Sequence, residues 1–140
     1  MWGTVEGALW VGGSILTRAE RPAAETTKLP AAVKRAAEAA LDKKAEDVVV
    51  LDLRKGGAFT DFFVLASGTS QRQIVAIADA VQEAMRAEDL RPKHVEGYPR
   101  QEWILFDYTG FVVHIFTPRT RSFYDLERLW GGAGRLEVKA

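Results

Sequence analysis

The sequence predicts an α/β domain of the α+β kind, with a mixed five-stranded sheet flanked by helices. Three observations carry this. Apolar residues at helical spacing alternate along the chain with apolar runs of strand length. Two of those runs are separated by one short turn, and three more follow with no helix between them, so neighbouring strands pair as hairpins. With 140 residues, 47% of them hydrophobic, the chain has the size and apolar content of one packed domain. A regular doubly wound parallel sheet does not fit, because it needs a crossover helix between successive strands.

The elements follow in order. Residues 1–28 read as an N-terminal extension with a short apolar stretch, Ala8 to Leu16, broken by Gly12 and Gly13, then a polar, proline-containing linker. Glu6 before the apolar stretch and Arg18 after it argue against a secretory signal, and Glu6, Glu20 and Glu25 argue against an organelle transit peptide. Trp2 and Trp10 leave a docking role open for this arm. The domain spans residues 29–131. Thr26 and Thr27 are candidate caps for a first helix, and Leu29, Val33, Ala36, Ala37, Ala40 and Leu41 share one face of it. It ends near Asp42-Lys43-Lys44.

Asp47 to Arg54 is a strand whose continuous Val48-Val49-Val50-Leu51 run suits burial on both faces. Thr60 to Ser67 is the second strand. Ser70 and Gln73 have capping-box spacing, and Ile74, Ile77, Ala78, Val81 and Met85 form the buried stripe of the helix they open. Lys93 to Glu96, Glu102 to Asp107 and Phe111 to Thr117 are three further strands, the last the most hydrophobic and central. Arg119 to Trp130 reads as one amphipathic helix with Phe123, Leu126, Leu129 and Trp130 on its apolar face. Gly131, Gly132 and Gly134 release it into a tail, residues 132–140.

Composition excludes several functions. Nineteen basic residues balance nineteen acidic ones, which argues against a general DNA or RNA binder. The absence of cysteine excludes disulfides, thiolate metal sites and cysteine nucleophiles, and fits a reducing compartment such as the cytoplasm. No apolar run has the roughly 20 residues that span a bilayer.

No residue pattern specifies a catalytic centre. His94 and His114 lie on different strands without ligand spacing. His114, between Val113 and Ile115, reads as a core histidine with one hydrogen-bond partner, and His94 as a surface or edge residue. Ser67-Gly68-Thr69-Ser70 lies where a phosphate loop would lie, yet it lacks the Gly-Lys-Ser/Thr ending and the spaced glycines, and a capped turn explains it. Asp52, Asp61, Asp79 and Asp107 include no acid-x-acid pair of the kind that holds magnesium in nucleotidyl transfer.

Thr60-Asp61-Phe62-Phe63-Val64, Ser67-Gly68-Thr69-Ser70 and Ala76-Ile77-Ala78-Asp79 resemble the first half of the ribosomal silencing factor (Iojap) family. Val95-Glu96-Gly97, Trp103 to Tyr108, Val112 to Phe116 and Arg121 to Trp130 resemble its second half. The resemblance covers Leu29 to Trp130. It departs at Thr109-Gly110, where the family carries Gly-Asp. It implies a nucleotidyltransferase-like fold without the catalytic acids, no cofactor and no metal. It also implies a non-enzymatic repressor that binds the large ribosomal subunit through ribosomal protein uL fourteen and blocks joining of the small subunit. A homodimer is compatible with it.

A steric blocker works through a surface, with an aromatic core and a polar rim. Trp103, Tyr108 and Tyr124 are the candidate aromatics. On the Trp103 strand, Trp103, Leu105 and Asp107 share one face and Ile104 and Phe106 the other. Glu96, Glu102 and Asp107 are the acids suited to a basic ribosomal partner. Arg119, Arg121 and Arg128 either touch ribosomal RNA or pair with Asp125 and Glu127 along the helix. Two other readings stay open: a nucleotide-binding or nucleotidyl-transfer enzyme on the same fold, and a dimeric scaffold that recruits a partner through its N-terminal tryptophans.

Overall fold

A computed structural model describes residues 29–139. The expected caps Thr26 and Thr27, and the docking tryptophans Trp2 and Trp10, lie outside these residues. The element order is α1 (Ala31–Asp42), β1 (Glu46–Asp52), β2 (Phe62–Ser67), α2 (Gln71–Ala87), β3 (His94–Glu96), β4 (Trp103–Tyr108) and β5 (Phe111–Phe116). It continues with α3 (Pro118–Tyr124), α4 (Leu126–Leu129) and β6 (Gly134–Glu137). One mixed sheet results, in the order β3-β4-β5-β2-β1-β6. All neighbours are antiparallel except β2 and β5, which run parallel across the α2 crossover.

Among the described residues the sheet therefore has six strands where five were expected. The sixth comes from the segment read as a tail: Leu136 pairs with Val50 and Arg135 with Leu51 on the β1 edge. The single last helix is also corrected. It is two short helices broken at Asp125, which adopts a left-handed backbone (φ 48°, ψ 54°). Leu126 and Trp130 still pack inward, but Phe123 and Leu129 are 79% and 70% exposed rather than buried.

The two sheet faces are covered differently. Val50, Val64, Ala66, Ile104, Phe106, Tyr108, Val113 and Ile115 face α1 and α2, where Val33, Ala36, Ala40, Ile74, Ile77, Val81 and Met85 close the main core. The α2 start is built by Ser70, whose Oγ accepts from the Gln73 N–H at 3.0 Å. The Gln73 side chain accepts from the Thr69 N–H (2.7 Å) and donates to the carbonyls of Lys43 and Lys44, tying the end of α1 to the β2–α2 turn. Side-chain hydrogen bonding thus accounts for Ser67 to Ser70. The opposite face carries a smaller cluster of Val49, Leu51, Leu53, Phe63, Leu65, Val112 and Phe116, against which the partly buried Ala58, Trp103, Leu105, Leu126, Trp130 and Ala133 pack.

Gly97, at the end of β3, has φ +98°, and a Cβ there would run into the carbonyl oxygen of Trp103. Gly110 has φ +92° with open space around it. Gly110→Ala should therefore cost about 1 kcal/mol of backbone strain, and Gly97→Ala more than about 2 kcal/mol because the β3–β4 approach must also open. Urea denaturation of the two variants measures the difference.

Candidate functional site

The incompletely covered face is the candidate site, and β pairing fixes its composition. Residues opposite one another in a ladder point to the same side of a sheet. His94 lies opposite Asp107, Glu96 opposite Leu105, Asp107 opposite Val112, Leu105 opposite His114 and Trp103 opposite Phe116. One surface therefore carries His94 and Glu96 on edge strand β3, Asp107, Leu105 and Trp103 on β4, and Val112, His114 and Phe116 on β5.

Burial rises across it. Glu96 and His94 are exposed, Trp103, Leu105 and Asp107 are half-buried, and His114 and Phe116 are buried. His94 Nε2 lies 2.5 Å from a Glu96 carboxylate oxygen. The half-buried stripe has one acid at its end and another beside it, which is an apolar strip with an anionic rim.

Trp103 is the largest group on this strip. Its indole N–H donates to His114 Nδ1 at 3.1 Å. Its ring centroid stands 5.7 Å from that of Phe116 and 4.7 Å from that of Tyr124. Tyr124, 53% exposed, ends α3 just before the left-handed Asp125. Thr117 opens that helix: its Oγ accepts from the Thr120 N–H at 3.0 Å.

Arg121 holds this arrangement to the sheet. Its guanidinium is buried and donates twice to the Glu127 carboxylate (3.0 and 2.9 Å), to Ser67 Oγ (2.9 Å) and to the Asp47 carbonyl (2.7 Å). Arg135 on β6 donates to the same carboxylate at 2.7 Å. The hydrogen bonds from Arg121, aided by Arg135 and opposed by burial, hold the Glu127 carboxyl down at about 2. Burial drives His114 down to about 3, so the imidazole is neutral.

Of the six residues expected on a docking face, Glu96, Trp103 and Asp107 share this side of the sheet, and the Tyr124 ring packs tilted against Trp103. Glu102 precedes β4 and is exposed; its carbonyl accepts from the Thr117 N–H at 3.2 Å. Tyr108 is corrected. It is 1% exposed and faces the helices beside Phe106 and Phe111, and burial pushes its hydroxyl up to about 12. The alternation that put Trp103, Leu105 and Asp107 outward already placed Tyr108 with Ile104 and Phe106. His114 is the expected core histidine with one partner. The Arg121–Glu127 pair was anticipated as contact along one helix, whereas it bridges two helices and the sheet.

Asp79 accepts from the Tyr98 hydroxyl at 3.0 Å, and Asp52 pairs with Arg54 at 2.6 Å. Among the described residues no three His, Asp or Glu side chains gather as a metal site, and no helix is long and apolar enough to cross a membrane.

Residues 26–140 match the family model described as ribosomal silencing factor during starvation. The chain belongs to the ribosomal silencing factor family. It is 38% identical to the ribosomal silencing factor of Bacillus subtilis, over 72% of this chain and 86% of that one. It is 34% identical to the chloroplastic Iojap protein of Zea mays, over 73% of this chain and 44% of the maize protein. A crystal structure of a Chromobacterium violaceum protein superposes with TM-score 0.69 at 36% identity, covering 71% of this chain and 83% of that one. Membership in the ribosomal silencing factor family implies a ribosome-associated regulator of translation, a role regulatory rather than catalytic.

His114 and Glu127 begin to lose their contributions at different pH. His114 is neutral in the native state, while in the unfolded chain it binds a proton below its ordinary 6.5. Its contribution to stability is therefore complete above pH 6.5 and is lost as pH falls toward 3. The Glu127 contribution is complete above 4.5 and lost between 4.5 and 2. Between pH 6.5 and 4.5, above the Glu127 window, the loss caused by His114 approaches about 1.4 kcal/mol per pH unit. His114→Phe should flatten the stability profile there, and Glu127→Gln should leave that slope while lowering stability at neutral pH. Denaturant melts across the pH range measure both.

Proposed function

We propose that this chain represses translation by docking its open sheet face on the large ribosomal subunit, through ribosomal protein uL fourteen, and so blocks joining of the small subunit. The observation that carries this reading is the asymmetry of the sheet. One face is sealed by α1 and α2, while the other leaves Trp103 half-buried beside Tyr124, with Glu96 and Asp107 at its rim. An aromatic anchor ringed by charge is the composition of a protein-binding hot spot. The acids complement the basic surfaces common on ribosomal proteins. Blocking requires only that the chain occupy the subunit-joining surface, so no reaction and no cofactor enters the mechanism.

Co-sedimentation with separated large and small subunits tests this. The chain should pellet with the large subunit alone. Trp103→Ala should weaken binding by about 30-fold, the loss of an anchor worth about 2 kcal/mol. Asp107→Lys should weaken it by about tenfold and reduce its salt dependence. Glu83→Lys, an exposed charge reversal on α2, should leave binding unchanged. Equal pelleting of all four proteins, or binding to the small subunit alone, contradicts the reading.

A further inference from the structure

We propose that His114 is a positioning residue for docking: its Nδ1 accepts the Trp103 indole N–H and locks that ring in the orientation it presents to the ribosomal partner. This rests on the docking reading above.

The argument starts from what His114 does not do. It is 4% exposed, on central strand β5. Phe63 packs edge-on against it with ring centroids 4.6 Å apart, and Phe116 stacks at 6.1 Å. An apolar ring would fill this site without a desolvation cost. Because Nδ1 accepts, the proton of the neutral imidazole sits on Nε2, and Nε2 has no partner among the described residues. The imidazole thus carries one unsatisfied buried group and makes one polar interaction, with Trp103. What a histidine provides here that phenylalanine does not is the fixed acceptor.

The target of that acceptor is the exposed end of the system. Trp103 is not opposite His114 in the ladder; it sits opposite Phe116, two residues further along β5. The hydrogen bond therefore runs diagonally across the strands and pulls the indole over β5, between the buried cluster and Tyr124. A half-buried tryptophan on an open face otherwise has several rotamers, and ordering it on binding costs affinity. The lock removes that cost before the partner arrives.

Three variants separate positioning from packing. His114→Phe keeps a ring against Phe63 and removes the acceptor. His114→Asn restores an acceptor near the Nδ1 position. Trp103→Phe removes the donor and leaves His114 in place. In nitrogen-15 spectra, the Trp103 indole N–H resonance, assigned by its loss in Trp103→Phe, should shift and exchange faster with solvent in His114→Phe. It should recover in His114→Asn. Large-subunit binding should fall about tenfold in His114→Phe, recover to within about threefold in His114→Asn, and show no further loss from His114→Phe in the Trp103→Phe background.

An unmoved indole resonance, or unchanged binding by a folded His114→Phe protein, overturns the role of His114 while the docking reading stands. An equal loss from His114→Phe in both backgrounds overturns it too, since the loss is then packing. Failure of the unmodified chain to bind the large subunit overturns the docking reading and this role with it.

Discussion

The Arg121 guanidinium is the interaction on which the open face depends. A sheet has two faces, and among the described residues the long helices α1 and α2 cover one of them. One end of the other face is covered by the two short helices, where Leu126 and Trp130 pack. Arg121 supplies an attachment by reaching the Glu127 carboxylate, Ser67 on β2 and the Asp47 carbonyl in β1. Arg135 extends the same carboxylate to β6. Removing one partner of such a buried pair leaves an uncompensated charge, which is why pairs of this kind are costly to break. The attachment also shapes the proposed docking face, because α3 ends in Tyr124 and the left-handed turn at Asp125 leaves that ring against Trp103.

The candidate site is thus what remains of the second face after the cover stops. Toward β1, Leu51, Phe63 and Trp130 are packed together. Toward β3, Leu105 and Asp107 are half-buried, and the strip ends in the exposed edge residues His94 and Glu96. The gradient from sealed to open runs across one continuous sheet, so the anchor residues stand on rigid strands rather than on loops. Rigid placement suits the proposed docking, since little ordering is left to be done on binding.

Much of this was legible in the residues. The runs Val48 to Leu51 and Phe62 to Leu65 are apolar throughout, and Phe111 to Phe116 is apolar except for His114; all three are buried along their length, and the first was read as covered on both faces. The α2 stripe and its Ser70 cap follow from spacing. β6 was missed because Gly134-Arg135-Leu136-Glu137 offers one buried side chain, Leu136, and its pairing depends on a partner strand far away in sequence. The break at Asp125 was missed because Phe123, Leu126 and Trp130 fit a helical period that the backbone does not follow. Of the site, the outward set Trp103, Leu105 and Asp107 was visible in strand alternation. Its connection to Glu96, His114 and Tyr124 was not, because those contacts are fixed by ladder register and by the helix break.

Docking through this face makes one demand that no other use of the fold makes: contact must fall on β3, β4 and the end of α3. Hydrogen exchange of the chain, free and bound to the large ribosomal subunit, tests that directly. The account expects new protection in residues 94–108 and around Tyr124, with α1 and the outer turns of α2 unchanged. Protection concentrated on α1 and α2, with β3 and β4 unaltered, would contradict it.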